Sequence, residues 1–243
     1  MRLPRIYQKQ TLTRQKTIEL SADAAHHIAG VLRMRAHQNV CVFNGEGGEF
    51  HGTIIDITKK KVNIQLNEFI DKSVESPLDI HLGQGISRGE KMDFTIQKSV
   101  ELGVKEITPL FSERCGVKLN AERLTKKWQH WQQVAISAAE QSGRTLITQV
   151  HQPITLQEWL TQSTNALKLT LHPRATDTIK SVEPPTNGIR FLVGPEGGLT
   201  DAEIQQTVNA HFNEIQLGPR ILRTETAALT VLSALQLQFG DLA

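Results

Sequence analysis

Phe191-Leu192-Val193-Gly194-Pro195-Glu196-Gly197-Gly198, followed downstream by Ile215-Gln216-Leu217-Gly218-Pro219-Arg220-Ile221-Leu222-Arg223-Thr224-Glu225-Thr226-Ala227, decides how this chain is read. In each stretch a short apolar, β-like run ends in Gly-Pro. Two strands of one sheet that end this way can set their loops side by side. Glycines let backbone N–H and C=O groups approach a flat ligand closely. The pair predicts a seat for a cofactor gripped by main chain rather than by side chains.

The residues around these loops fit an α/β domain. Thr200-Asp201-Ala202-Glu203 is a capping box that starts a helix just after the first loop and so fixes where that loop ends. Strand-like runs occur at 78–84, 104–110, 146–150, 166–171, 189–193 and 214–217. Helical patterns at 91–102, 121–141, 155–162, 201–211 and 225–239 separate most of them. This alternation predicts a mostly parallel sheet. Gly103 and Gly143 each follow a helix as C-terminal stops. Ala228, Val231, Leu232, Leu235 and Phe239 make one apolar face on the last helix, suited to covering the sheet and also to a dimer contact.

The first third is different. Val40–Phe43, Phe50–Ile57 and Val62–Leu66 are β-branched or aromatic runs, with Thr17–Leu20 before them. Asn44–Gly48 and Lys59-Lys60 supply turns, and Ser21 is placed to cap a helix from Ala22 to about Leu32. Short strands with such turns predict a small barrel. The polar stretch 67–77 reads as a linker, which divides the chain into 1–72 and 73–243. Residues 1–67 hold ten Lys/Arg against five Asp/Glu, whereas the remainder holds seventeen against twenty. A basic module beside a near-neutral one suggests a polyanion, most simply nucleic acid. Arg2, Arg5, His26, Arg33 and Arg35 are the candidate RNA contacts. With Tyr7 the only tyrosine, stacking platforms are few and RNA shape dominates.

Several classes are excluded. There is no apolar run of 18 residues, so no transmembrane helix is expected. The N-terminus lacks an apolar signal segment, and Cys41 and Cys115 fit no CxxC pattern, so a cytoplasmic protein with reduced thiols is expected. Gly83-Gln84-Gly85 resembles a dinucleotide fingerprint, but Arg88 stands where its third glycine belongs. No P-loop, HExxH or Cys/His ligand set occurs, and adjacent His26 and His27 point to different helix faces, so no metal is expected.

Together these segments resemble the signature of the RsmE family, S-adenosylmethionine-dependent 16S rRNA uridine-N3 methyltransferases of the SPOUT superfamily. Gln97–Val104, Glu113-Arg114, Ala138–Arg144 and His26–Arg33 resemble the same family in the same order, over nearly the whole chain. One departure is His130, where that family often has arginine. The resemblance implies a PUA-like β-barrel followed by a SPOUT α/β domain with a C-terminal trefoil knot. It also implies a homodimer that acts on 16S rRNA or the 30S subunit.

On this reading the cofactor is S-adenosylmethionine. It is held by Leu171, His172, Gly194, Pro195, Glu196, Gly197, Gly198, Ile215, Leu217, Gly218, Ile221, Leu222, Thr226 and Ala227. The acceptor, N3 of uracil, must lose a proton, and the charge spreads onto O2 and O4. Arg223 and Arg144 are the candidate cations for those oxygens, and Glu196 is the candidate proton acceptor, with Glu225 more suited to bracing a helix start. Two competing readings are a SPOUT 2′-O-ribose methyltransferase and a non-catalytic RNA-binding assembly factor.

Overall fold

The structure, a computed structural model, describes residues 3–58, 61–117 and 120–242. The chain forms two compact units, Met1–Glu75 with Ala139–Ile147, and Ser76–Ala138 with Thr148–Ala243. The expected division after residue 72 thus falls slightly early, and it missed that 139–147 groups with the first unit.

The first unit holds β1 (Arg5–Tyr7), β2 (Thr17–Glu19), β3 (Asn39–Phe43), β4 (Glu49–Ile57) and β5 (Val62–Ile70), in the sheet order β1-β3-β4-β5-β2. β1 runs parallel to β3, and the other pairs are antiparallel. In β5 the buried Val62, Ile64 and Leu66 alternate with polar neighbours, the period of a half-buried strand. They share one core with Ile6, Ile18, Val40, Val42 and Ile54. Just beyond the edge strands, the Ser21 N–H donates to Gln8 Oε1 at 2.9 Å, and Gln10 Nε2 donates to Glu19 O at 3.2 Å.

Two expectations here need correction. Ser21 does not cap a helix through its side chain; its hydroxyl accepts from Gln8 Nε2 at 3.4 Å instead. The helix α1 (Ala22–His26) opens into a π turn over His27–Val31 rather than continuing to Leu32, and Arg33 at φ 50° lies outside it. β1, with three residues, was too short to show a period and was not foreseen. The Lys59-Lys60 turn and Arg2 lie outside the described residues.

The second unit is built on parallel strands β6 (Ile80–Gly85), β7 (Glu106–Phe111), β8 (Gln149–Val150), β10 (Leu167–Leu171), β11 (Ile189–Val193) and β12 (Asn213–Ile215). Their order is β12-β10-β11-β6-β7-β8, with β9 (Ile154–Thr155) also on β7. All five residues of β11 are buried, as expected of a strand covered on both faces. The helices are α2 (Glu90–Glu101), α3 (Ala121–Ser142), α4 (Leu156–Thr161), α5 (Asp201–Asn209) and α6 (Thr224–Phe239). α2 packs on α6, which lies against β6 and β11. Ala228, Val231, Leu232 and Leu235 of α6 are fully buried. Trp159 of α4 packs with Leu110, Leu192 and Phe212 in a separate cluster.

The capping box is present. Thr200 Oγ1 accepts from the Glu203 N–H at 3.2 Å, and Glu203 Oε2 accepts from the Thr200 N–H at 2.8 Å. Gly103 and Gly143 both follow helices in the left-handed region, at φ 83° and 91°.

Candidate functional site

β10 pairs with both β11 and β12, so the C-terminal ends of these three strands are adjacent. The segments that follow them converge on one cleft of about 740 Å³. This is the end at which open parallel sheets bind ligands. Leu171, Val193, Leu199, Ile204, Ile215, Leu217 and Leu222 give it apolar walls, and the backbone of both Gly-Pro loops forms much of the rest.

The loops are fixed from below. The Gly198 N–H closes a turn on Pro195 O at 2.9 Å, with Gly198 at φ 68°. Thr224 Oγ1, at the start of α6, donates to Gly194 O at 2.6 Å. The same hydroxyl accepts from Gln84 Nε2 at 2.9 Å, and Gln84 Nε2 also reaches Gly85 O at 3.0 Å. β6, the first loop and α6 are thereby tied at one point. Gly85 is required there, because a Cβ would stand 2.4 Å from Pro195 N. From the other side, the capping residue Glu203 accepts from the Glu113 N–H through Oε1 at 2.8 Å.

The cleft is cationic. Lys91, Arg114, Arg174, Arg220 and Arg223 line it, and Glu196 is the one acid among the described lining residues. Arg114 donates to Gly197 O at 3.3 Å, and Arg174 pairs with Asp201 at 2.5 Å. Glu196 Oε1 accepts from the Arg88 N–H at 3.1 Å and from Lys91 Nζ at 3.4 Å. Burial pushes this carboxyl up, but those hydrogen bonds and the Lys91 charge outweigh it and hold the group below the ordinary carboxylate value. An acid so held is a weak base and a good brace between the 194–198 loop and residues 88–91. Arg220 and Arg223 are exposed, and neither makes a side-chain hydrogen bond or ion pair with the described residues. His172 Nδ1 lies 3.0 Å from Glu214 Oε2, which orients its ring.

Of the residues singled out for the cofactor, the structure brings Leu171, His172, Gly194, Pro195, Glu196, Gly197, Gly198, Ile215, Leu217, Gly218, Ile221, Leu222 and Ala227 to this cleft, together with Arg223. Thr226 does not line it. On α6, Thr224 and Ala227 are three apart and share a face, whereas Thr226 is exposed and its C=O accepts from Thr230. Glu225 stands in the first turn of α6, where a carboxylate suits the helix dipole, and its Oε2 is buried without a hydrogen-bond partner among the described residues. Lys91, Arg114, Arg174, Arg220 and Ile204 were missed. The three arginines follow strands directly or closely, so a search of strand C-terminal ends would have found them.

Arg144 is placed elsewhere. It is 6% exposed, belongs to the first unit, and is paired with Glu75 at 2.6 Å. Glu75 Oε1 also accepts from the Thr145 and Leu146 N–H groups. Arg144 therefore holds the 139–147 segment within that unit. Arg5 is corrected likewise. Its side chain is 6% exposed and forms an ion pair with Glu49. It also donates to Arg144 O at 2.8 Å and lies over the Phe43 ring. A guanidinium so engaged is not presented to phosphates. His26, Arg33 and Arg35 are exposed.

Residues 74–236 match the family model described as an RNA methyltransferase domain, and residues 20–67 match an RNA methyltransferase PUA domain. A curated relative from Buchnera aphidicola, named ribosomal RNA small subunit methyltransferase E, is 43% identical over 99% of this chain and 98% of its own length. Among solved structures, a Legionella pneumophila methyltransferase in complex with bound S-adenosylmethionine superposes with a TM-score of 0.97 at 42% identity, over the full length of both chains. A Neisseria gonorrhoeae ribosomal RNA small subunit methyltransferase E, also bound to S-adenosylmethionine, gives 0.94 at 38% identity, again over both full lengths.

Proposed function

Since this chain belongs to the ribosomal RNA small subunit methyltransferase E family, we propose that it methylates N3 of a uridine in 16S rRNA. It is an S-adenosylmethionine-dependent rRNA methyltransferase. The observation that carries the finer reading is the meeting of two Gly-Pro loops at one cleft with an uncommitted guanidinium, Arg223, beside them.

The residues present fit the cofactor. Main chain of 194–198 and 217–222 suits adenine and ribose hydrogen bonding, while Leu171, Ile215, Leu217 and Leu222 offer an apolar slot. Bound there, S-adenosylmethionine supplies an electrophilic methyl group. The chain's own part is alignment and charge. Uracil N3 carries a proton between two carbonyls; its loss to solvent water frees the N3 lone pair to take the methyl group and puts negative charge on O2 and O4. Arg223, which lines the cleft at the α6 start, is the donor assigned to those oxygens on this reading, where a preformed cation acts on the transition state rather than on the resting substrate. Glu196, as a carboxylate spent on Arg88 and Lys91, keeps the loop in place rather than taking the proton.

The same reading includes contacts from His26, Arg33 and Arg35 to RNA phosphates, a target base lifted from its stack, and action on the 30S subunit in the cytoplasm. Among the described residues, no helix is long and apolar enough to cross a membrane. A closed PUA-like barrel is supported by the Gln8–Ser21 and Gln10–Glu19 bonds beside β1 and β2. The trefoil knot is part of the reading, inferred from the family resemblance. A homodimer is part of the reading, inferred from the family resemblance.

The test is methyl transfer from labelled cofactor to unmodified 30S particles, with the product identified by nucleoside mass spectrometry. N3-methyluridine is expected. A 2′-O-methyl nucleoside would replace the base-methylation reading, and absent transfer would leave only RNA binding. Arg223→Ala should keep cofactor affinity and lose at least about a hundredfold in turnover, the usual loss when one such donor is removed. Normal turnover would take Arg223 out of the mechanism.

A further inference from the structure

The opposite end of the same sheet holds a second, separate cluster. Strand register sets Arg190, His81, Glu106 and Gln149 in one row across β11, β6, β7 and β8, and His151 follows β8. His151 Nε2 lies 2.7 Å from Glu106 Oε2, and His81 Nδ1 lies 4.0 Å from the same oxygen. One ligand atom from each of the three residues falls within 4.8 Å of the others. They open on a cavity of about 460 Å³ that Thr108, Trp128 and Gln162 help to line.

We propose that His81, Glu106 and His151 form a binding site for a transition-metal dication of the zinc class, with water from the cavity as fourth ligand. Two imidazoles and one carboxylate are a ligand set that zinc uses, and imidazole disfavours magnesium and calcium, which take oxygen. With metal–ligand bonds of about 2.0–2.1 Å at tetrahedral angles, ligand atoms sit about 3.3 Å apart. The observed 2.7 and 4.0 Å bracket that separation, so small side-chain rotations suffice. His81 Nε2 lies 2.8 Å from Thr108 Oγ1. In the tautomer that donates there, Nδ1 keeps its lone pair toward Glu106, as an outer hydrogen bond does for a metal-bound histidine.

Arg190 is the nearby charge that opposes a cation. Its guanidinium is committed elsewhere: it donates to Gln162 O at 3.2 Å and Gln162 Oε1 at 3.3 Å, and lies over the Trp159 ring. It leaves Glu106 Oε2 to the two imidazoles. The sequence alone gave no sign of this site, because its members come from three strands and no local spacing joins them.

The test uses the full-length, untagged chain stripped with chelator and titrated with Co²⁺ and Zn²⁺. One equivalent of Co²⁺ should give the intense visible bands of four-coordinate cobalt, Zn²⁺ should displace it, and Zn²⁺ should raise the melting temperature. Thr108→Val should weaken binding about 10–100-fold through the outer hydrogen bond. The nearly isosteric Glu106→Gln and the more exposed His151→Ala should weaken it further, while S-adenosylmethionine affinity stays unchanged. That unchanged affinity separates this proposal from the cleft reading and shows that the variants fold. If folded wild type takes up no cobalt in a four-coordinate site, the proposal is wrong. If the folded variants bind as wild type does, the metal is an adventitious ion only and the proposal also falls.

Discussion

Replacing Gly85 by alanine places a methyl group where the protein already has backbone. The new Cβ would stand 2.4 Å from Pro195 N and 2.7 Å from Gly194 C, whereas ordinary contact begins at 3.4 Å. Gly85 is not among the positive-φ glycines, so alanine meets no conformational penalty and the effect is purely steric. The 194–198 loop must retreat by about 1 Å, and a misplacement of that size can cost about 100-fold in rate. It cannot retreat freely, since Thr224 holds Gly194 O and Arg88 holds Glu196. Overpacking of this kind costs about 1–3 kcal/mol, which lowers the melting temperature of a chain this long by about 2–12 °C. Calorimetry with S-adenosylmethionine, melting curves and single-turnover transfer measure the three effects. A Gly85→Ala protein that melts like wild type and binds cofactor equally well would refute the argument that strand β6 and the first loop form one rigid seat.

Arg5→Ala should lower stability by about 3 kcal/mol, the lower end for a broken buried pair, because Glu49 loses its nearest cation but keeps Lys72 at 3.9 Å, and denaturant melts will show it. Arg33→Ala with Arg35→Ala should instead leave stability unchanged and lower the slope of log affinity for RNA against log salt by about 2. Thr200→Ala should cost about 0.5–2 kcal/mol in thermal melts, and Thr200→Ser should recover most of it. Burial pushes the Cys41 thiol up to about 12, so thiol reagents should label Cys115 in the folded protein and reach Cys41 only on unfolding. The folded state keeps the Cys41 proton above the thiol's usual 9.0, where the unfolded chain releases it. Stability therefore falls as pH rises from about 9 toward 12.

Most elements of the second unit were legible because they carried a local signal, whereas β9 (Ile154–Thr155), only two residues long, carried none. The longer strands were apolar runs, β11 lying between Gly188 and Gly194, and α5 opened on a capping box, Thr200 to Glu203. The cleft was legible for the same reason, since its loops are contiguous in sequence. What could not be read depends on long-range pairing. Arg144 and Arg5 carry the same charge as Arg223 and Arg33, and nothing local distinguishes a guanidinium pinned to a buried carboxylate from one left free. Glu75 and Glu49 make that distinction, from 69 and 44 residues away. The end of α3 likewise reads as ordinary helix, and its assignment to the first unit comes from Glu140 accepting the Tyr7 N–H at 2.9 Å. Thr226 failed on a simpler point, because a contiguous motif was extended into a helix where neighbouring residues face different ways.

A cleft that grips by main chain moves the burden of specificity onto residues that need not touch the ligand. No single side chain closes the 194–198 loop over a cofactor. Its shape comes from Gln84 and Thr224 beneath it, from Glu196 held by Arg88 and Lys91, and from Glu203, which caps α5 while holding the Glu113 N–H. Gln84 matters most among these, being fully buried and joined to both Gly85 O and Thr224 Oγ1. Because β6 lies between β11 and β7, a displacement at Gln84 moves the loop after β11 and the start of α6 together. The cleft thus behaves as one body mounted on β6. Its cationic side chains Arg220 and Arg223 stay free of that scaffold, and on the proposed reading that freedom is what an incoming base and its phosphates use.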